Sequence, residues 1–139
     1  MKSEPIKILI VDDDSDDRFF LKEAVLEIDE SFECAEAYDG IDALAMLRTT
    51  RFLPDYIFMD INMPRMDGTK CLNELKSDAK LRGIPVIILT TSSYPKDLEL
   101  THKLGAIDYL IKPMGHDALI HIVRSAIIRA EESSSITHE

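Results

Sequence analysis

No apolar stretch in this 139-residue chain approaches the ~20 residues that a membrane-spanning helix requires. Met1 to Pro5 is polar, and Asp12 follows too soon for the apolar core of a signal peptide, so cytoplasmic residence is the expectation. Only two cysteines occur, Cys34 and Cys71, one in an expected strand and one in an expected helix. A lone pair in a cytosolic protein reads as two small reduced thiols rather than a disulfide. A stripe of Lys and Arg is also missing: the densest basic spacing, Lys76, Lys80 and Arg82, is interrupted by Asp78. With a formal net charge of −10, the chain lacks the clustered cations that displace counterions from nucleic acid, which argues against nucleic acid as a direct partner. The acidity itself reads as a source of solubility. Repeats, low-complexity segments and internal linkers are absent.

What is present is an alternation. Hydrophobic residues make up 45% and charged ones 30%, the balance of a globular chain long enough for one domain with a real core. Four apolar runs each end on a polar residue able to handle phosphate or a metal. Ile6 to Val11 runs into Asp12-Asp13-Asp14, and Tyr56 to Met59 ends at Asp60. Val86 to Leu89 ends at Thr90, and Ile107 to Ile111 ends at Lys112. If these runs are neighbouring parallel strands, their carboxyl ends share one sheet edge, where open α/β sheets place their ligands.

Helical patterns fill the gaps. Asp14 or Ser15 can cap a first helix, Asp16 and Asp17 suit its positive end, and Leu21, Val25 and Ile28 recur at helical spacing. Phe32 to Ala37 alternates apolar with acidic, as a half-exposed edge strand should. Asp39-Gly40 breaks the chain before a helix marked by Ile41, Leu44 and Leu47. Pro54 precedes the third strand, Pro64 and Asp67-Gly68 form a loop, and Cys71, Leu72 and Leu75 begin the third helix. Gly83 and Pro85 introduce the fourth strand; Pro95 opens a helix carrying Leu98 and Leu104 that stops at Gly105. Leu119, Ile122, Val123, Ala126 and Ile127 repeat as one stripe of a last helix. The expected organisation is a disordered stretch over 1–5, a domain over 6–130 and a frayed polar tail over 131–139. Five β-α units imply an α/β fold, a doubly wound five-stranded parallel sheet of flavodoxin-like (βα)5 type. The charged alternation of the second strand places it at an edge and favours the order 2-1-3-4-5.

Carboxylates converging at a strand edge repel one another, so such a pocket protonates one of them or recruits a cation. Oxygen-only ligands suit Mg2+, and with no His or Cys near these strand ends zinc is disfavoured. Lys112 can offset charge and contact a phosphoryl oxygen, and Thr90 can donate a hydrogen bond to another. Thr91 is a rival for that role, but Thr90 stands first past the apolar run. A carboxylate can act as a nucleophile toward phosphorus, giving an acyl phosphate, so the set points to phosphoryl transfer onto an aspartate.

These residues resemble a known family. Val11-Asp12-Asp13-Asp14, the segment Asp60-Ile61-Asn62-Met63-Pro64-Arg65-Met66-Asp67-Gly68, then Thr90, then Lys112-Pro113 are similar to the landmarks of the receiver domain of bacterial two-component response regulators. They occur in order from about Ile6 to Arg129. The resemblance implies Asp60 as phosphoacceptor and a Mg2+ bound by Asp13 directly, by Asp12 partly through water, by Asp60, and by the main-chain carbonyl of Asn62. It implies that Lys112 contacts the phosphoryl group, that Thr90 turns inward to bond it, that Tyr109 is an aromatic switch following Thr90, and that the Lys112-Pro113 bond is cis. Asn62 and Ser92 stand where receivers tune acyl-phosphate lifetime. The partners implied are a sensor histidine kinase or a phosphotransfer protein.

Asp14 reads as a cap, His116 and His121 as solvent-facing, and Met63 and Met66 as loop packing. Three alternatives stand beside the receiver. Asp12-x-Asp14 after a strand also fits the nucleophile motif of haloacid-dehalogenase-like phosphatases, but these need a further acidic pair after the lysine strand and leave Asp60 without a task. A non-phosphorylated pseudo-receiver usually loses the aspartate, lysine or acidic pair, all present here. A flavodoxin would meet repulsion between flavin phosphate and Asp12-Asp13-Asp14. The expectation is a stand-alone response regulator, not an enzyme beyond its own phosphorylation and dephosphorylation. Its readout surface would be helix four, strand five and helix five. Ile120 and Ile128, off the buried stripe, are either a homodimer seam there or packing beside helix four.

Overall fold

Successive residues of a strand point to opposite sides of the sheet, and in the central strands of this chain both sides are apolar. The computed structural model describes residues 4–49 and 53–137, with side chains of the last helix described through Ser133. Its elements follow in the order β1 (Lys7–Val11), α1 (Ser15–Ile28), β2 (Glu33–Ala37), α2 (Gly40–Thr49), β3 (Tyr56–Met59), α3 (Gly68–Ser77), β4 (Val86–Thr90), α4 (Pro95–Lys103), β5 (Asp108–Ile111) and α5 (His116–Thr137). The five strands form one parallel sheet in the order β2-β1-β3-β4-β5, so the fold class and order expected from the sequence hold.

Two cores result, one on each face. Leu9, Val11, Ile57, Met59, Val86 and Ile88 face α2 and α3 and pack with Leu44, Leu47, Leu72 and Leu75. Ile8, Ile10, Phe58, Ile87 and Leu89 face the other way and pack with Leu21 and Val25 of α1 and Val123, Ala126 and Ile127 of α5. Full burial of each large aliphatic side chain contributes about 1.5–3 kcal/mol. β2 is exposed along most of its length, as an edge strand with acidic alternation should be. Cys71 is buried in α3 and Cys34 half-buried in β2; both are free thiols. Burial pushes the Cys71 thiol up to about 12, so it stays protonated at neutral pH.

Helix ends follow local chemistry. The Asp14 carboxylate accepts from the main-chain N–H of Asp16 and Asp17 and caps α1. Asp67 caps α3 by accepting from Lys70 N. α4 opens on Pro95, and Gly105, at φ +105°, takes the left-handed conformation just past its end. Two details bear on packing. Leu98 is 52% exposed, and only Thr101 of α4 is buried, while Leu104 supplies the apolar anchor. α5 also runs as helix past Glu131, to Thr137. Ala130 is buried and the Tyr56 hydroxyl donates to the Glu131 carboxylate, so the first residues of the expected tail are tied to the sheet. The remainder of that tail, 138–139, and residues 1–3 of the expected disordered stretch lie outside the described residues. Among the described residues no helix is long and apolar enough to cross a membrane.

Candidate functional site

The carboxyl ends of β1, β3 and β5 place Asp12, Asp60 and Lys112 side by side. Asp60 N donates to Val11 O at 3.0 Å, which locks the residue after β3 to the end of β1. Lys112 N donates to Thr90 O at 2.8 Å, which carries the lysine beside the end of β4. From there the Lys112 ammonium donates to Asp12 Oδ2 at 2.7 Å and to Asp60 Oδ2 at 2.8 Å. A third bond goes to Asp17 Oδ2 at 2.8 Å.

Asp12 and Asp60 are only 6% and 7% exposed. Each keeps one oxygen on main-chain amides: Asp14 N donates to Asp12 Oδ1 at 2.9 Å, and Asn62 N to Asp60 Oδ1 at 3.2 Å. Burial pushes the Asp12 carboxyl above its ordinary value, although the bonds from Lys112 and Asp14 N pull the other way. For Lys112 burial favours the neutral form, but the bonds to Asp12, Asp17 and Asp60 outweigh it, and the net shift is upward. The ammonium is therefore charged at neutral pH.

Oxygens of Asp12, Asp13 and Asp60 all lie within 4.8 Å of one another, two of these residues buried and Asp13 exposed. A trio of hard oxygens with one open side fits a divalent cation of the Mg2+ type, which takes one or two carboxylates and keeps waters. Asn62 is exposed beside Asp60 in the loop to α3. Thr90, the last residue of β4 and so within the strand rather than past it, is fully buried; its hydroxyl accepts from Ser92 N at 3.4 Å. Tyr109 is half-buried, and its hydroxyl donates to Ser92 O at 2.9 Å. Thr90 and Tyr109 thus meet on one residue, Ser92, whose hydroxyl donates to Asp97 of α4.

Asp14 is engaged as the α1 cap, the role expected for it. His116 and His121 are exposed, Met63 is buried and Met66 packs against the core. Ile120 is half-buried and Ile128 exposed. The Lys112-Pro113 bond is not cis: no cis peptide occurs among the described residues, and trans is the lower-energy isomer even before proline.

Three site neighbours escape a reading of the sequence. Asp17, which reads as a helix-dipole acid, reaches Lys112. Arg18 donates from Nη1 to the Asp12 carbonyl oxygen at 2.7 Å and from Nε to Glu36 at 3.1 Å, joining α1, the acidic turn and β2. Arg65 adopts φ +62°, and its Nε and Nη2 reach Asp39 Oδ2 at 2.7 and 2.6 Å. That clamp ties the loop after Asp60 to the start of α2. Burial acts against the Asp39 carboxylate, but the Asp42 amide and the Arg65 guanidinium hold it below its ordinary value. None of the three carries a local signal, since each contact joins residues distant in sequence or depends on a turn conformation.

The family model for the response regulator receiver domain matches residues 8–124. The chain belongs to that family. As a receiver it is 35% identical over 121 residues to protein PilH of Pseudomonas aeruginosa, covering 87% of this chain and 97% of that one. It is 43% identical over 109 residues to protein-glutamate methylesterase/protein-glutamine glutaminase 3 of Rhodospirillum rubrum, covering 78% of this chain but only 28% of that larger enzyme. Among solved structures, the phosphorylated cyanobacterial phytochrome response regulator RcpA superposes with TM-score 0.81 at 32% identity, covering 88% of this receiver and 91% of that chain. The Mn2+-bound form of response regulator Rcp1 gives 0.78 at 30% identity, with 87% and 91% covered.

Proposed function

We propose that this receiver accepts a phosphoryl group on Asp60 from a phosphohistidine of a sensor kinase or phosphotransfer protein. The observation that carries the reading is the Lys112 ammonium bridging Asp12 and Asp60 beside the open carboxylate trio. An Asp60 carboxylate oxygen attacks phosphorus, the P–N bond of the donor breaks, and its electron pair returns to the imidazole nitrogen, which then takes a proton from solvent. The product is a mixed anhydride, and attack of water on its phosphorus returns the carboxylate and inorganic phosphate. Asp13, Asp12, Asp60 and the Asn62 carbonyl would hold a Mg2+, which when bound neutralises charge on the phosphoryl oxygens. Lys112 offsets further charge as a fixed cation. RcpA was solved in a phosphorylated form and Rcp1 in a Mn2+-bound form, which supports both halves of this reading.

Thr90 and Lys112 are the groups drawn toward the new oxygens, with Tyr109 following Thr90. The link through Ser92 to Asp97 gives that motion a route to α4. Readout then falls on α4, β5 and α5, where Leu98, Ile111 and Ile128 are each about half exposed. Exposed apolar side chains on these elements suit a protein partner or a second copy of the chain. With a small acyl-phosphate donor and Mg2+, the protein should gain a single phosphate by intact mass, and Asp60→Asn should gain none. An adduct surviving at full level in the variant would overturn the assignment. Light scattering of the labelled sample reads the homodimer: a doubled mass is expected, and an unchanged mass removes the second copy as the partner.

A further inference from the structure

Lys112 has three ammonium hydrogens and, among the described residues, three carboxylate partners: Asp12, Asp17 and Asp60. The three are not equivalent. Asp12 and Asp60 belong to the trio whose oxygens converge within 4.8 Å, and Asp17 does not. In the proposed reaction the oxygens of Asp12 and Asp60 are claimed by a cation and by phosphorus. Asp17 is then the one partner that the ammonium can keep from the empty site to the phosphorylated one.

The mounting of Asp17 suits such a role. It sits at the third position of α1, a turn fixed by the Asp14 cap and by the bond from Arg18 to the Asp12 carbonyl. α1 therefore approaches the site as a braced element, and Asp17 reaches across to the residue after β5. Its carboxylate is 38% exposed, against 14% for the lysine side chain. Solvent can thus support the Asp17 charge at little desolvation cost while Lys112 stays mostly enclosed.

We propose that Asp17 is a positioning residue for Lys112: it anchors the ammonium over the phosphoacceptor when Asp12 and Asp60 are engaged elsewhere. Without the anchor, the lysine still has its charge but must be ordered during the transfer itself. Two requirements follow: Asp17 acts only through Lys112, and it contributes nothing to cation binding.

The inference rests on the receiver reading, and one experiment separates the two. Phosphorylation rates are measured on the full chain with a small acyl-phosphate donor, and Mn2+ affinity by paramagnetic resonance titration. Asp17→Asn should slow labelling roughly 3- to 10-fold, the scale of one partly screened charge-assisted bond. Its Mn2+ affinity should be unchanged, which also reports an intact pocket. Asp17→Glu should recover part of the rate, and Asp16→Asn, one position earlier, should label normally. In a Lys112→Ala background the Asp17→Asn change should have no further effect. Labelling of Asp17→Asn at the unaltered rate would overturn the positioning role and leave the receiver reading standing. An equal slowing with and without Lys112 would also overturn it, since the aspartate would then act by another route. A chain that takes no phosphate in its unaltered form would overturn both.

Discussion

Lys112→Ala should slow phosphorylation of Asp60 by about a hundredfold or more, the scale seen when one preorganised charge is removed from a site of developing negative charge. A second effect is expected in the absence of divalent cation. Removing the ammonium leaves two buried carboxylates, Asp12 and Asp60, facing each other without their shared partner. Breaking a buried pair in this way costs about 3 kcal/mol or more. Mg2+ should return part of that loss, because a cation held by the trio replaces the charge of the lysine. Urea unfolding midpoints with chelator and with Mg2+ measure both parts. A variant that labels at the normal rate, or whose midpoint does not respond to Mg2+ any more than the unaltered chain does, would contradict the role given to Lys112.

Gly68→Ala is the substitution expected to damage the fold and the site together. A Cβ at Gly68 would lie 2.4 Å from the Asp60 carbonyl oxygen and 2.6 Å from Ile61 Cα. Both neighbours are backbone, so no side-chain rotation relieves the overlap. Gly68 N also donates to Ile61 O at 2.9 Å, which holds α3 against the phosphoacceptor loop. The clash must push this loop away, at about 3 kcal/mol on the scale of overpacked cores, or roughly 10 °C in midpoint for a chain of this size. Phosphorylation should fall as well, because Asp60 moves relative to Lys112. Gly83→Ala is the control: nothing lies within 4 Å of its Cβ position, and its backbone is not in the left-handed region. Scanning calorimetry of the two variants settles the comparison, and equal midpoints would refute the packing argument.

Much of this architecture is legible in the chain because the signals are local. Apolar runs of strand length, each closed by a charged or hydroxyl residue, locate β1, β3, β4 and β5 and put Asp12, Asp60, Thr90 and Lys112 at their ends. The acidic alternation of Glu33 to Ala37 marks the edge and so the strand order. What the sequence hides depends on side chains meeting across the fold. Asp17 looks like any acid in a first helical turn until β5 brings Lys112 to it. Arg65 gives no sign that it adopts a left-handed backbone and spans to Asp39. The polar run after Ala130 reads as a tail, because the bond from Tyr56 that holds Glu131 joins residues far apart in sequence. The backbone isomer before Pro113, expected as cis by resemblance, is trans here.

The roles of neighbouring acids differ by environment rather than by type. Asp14 caps a helix, Asp13 is exposed at the mouth of the trio, and Asp12 is buried against Lys112. The cap uses one Asp14 carboxylate oxygen, Oδ1, which accepts from both the Asp16 and the Asp17 main-chain N–H.

Borohydride reduction of the phosphorylated protein, followed by peptide mass mapping, addresses the site most directly. An acyl phosphate on an aspartate is reduced to homoserine, whereas a phosphate ester on Ser, Thr or Tyr is not. The account predicts homoserine at position 60 alone. Homoserine at position 12, or a phosphate on the protein that resists reduction, would contradict it.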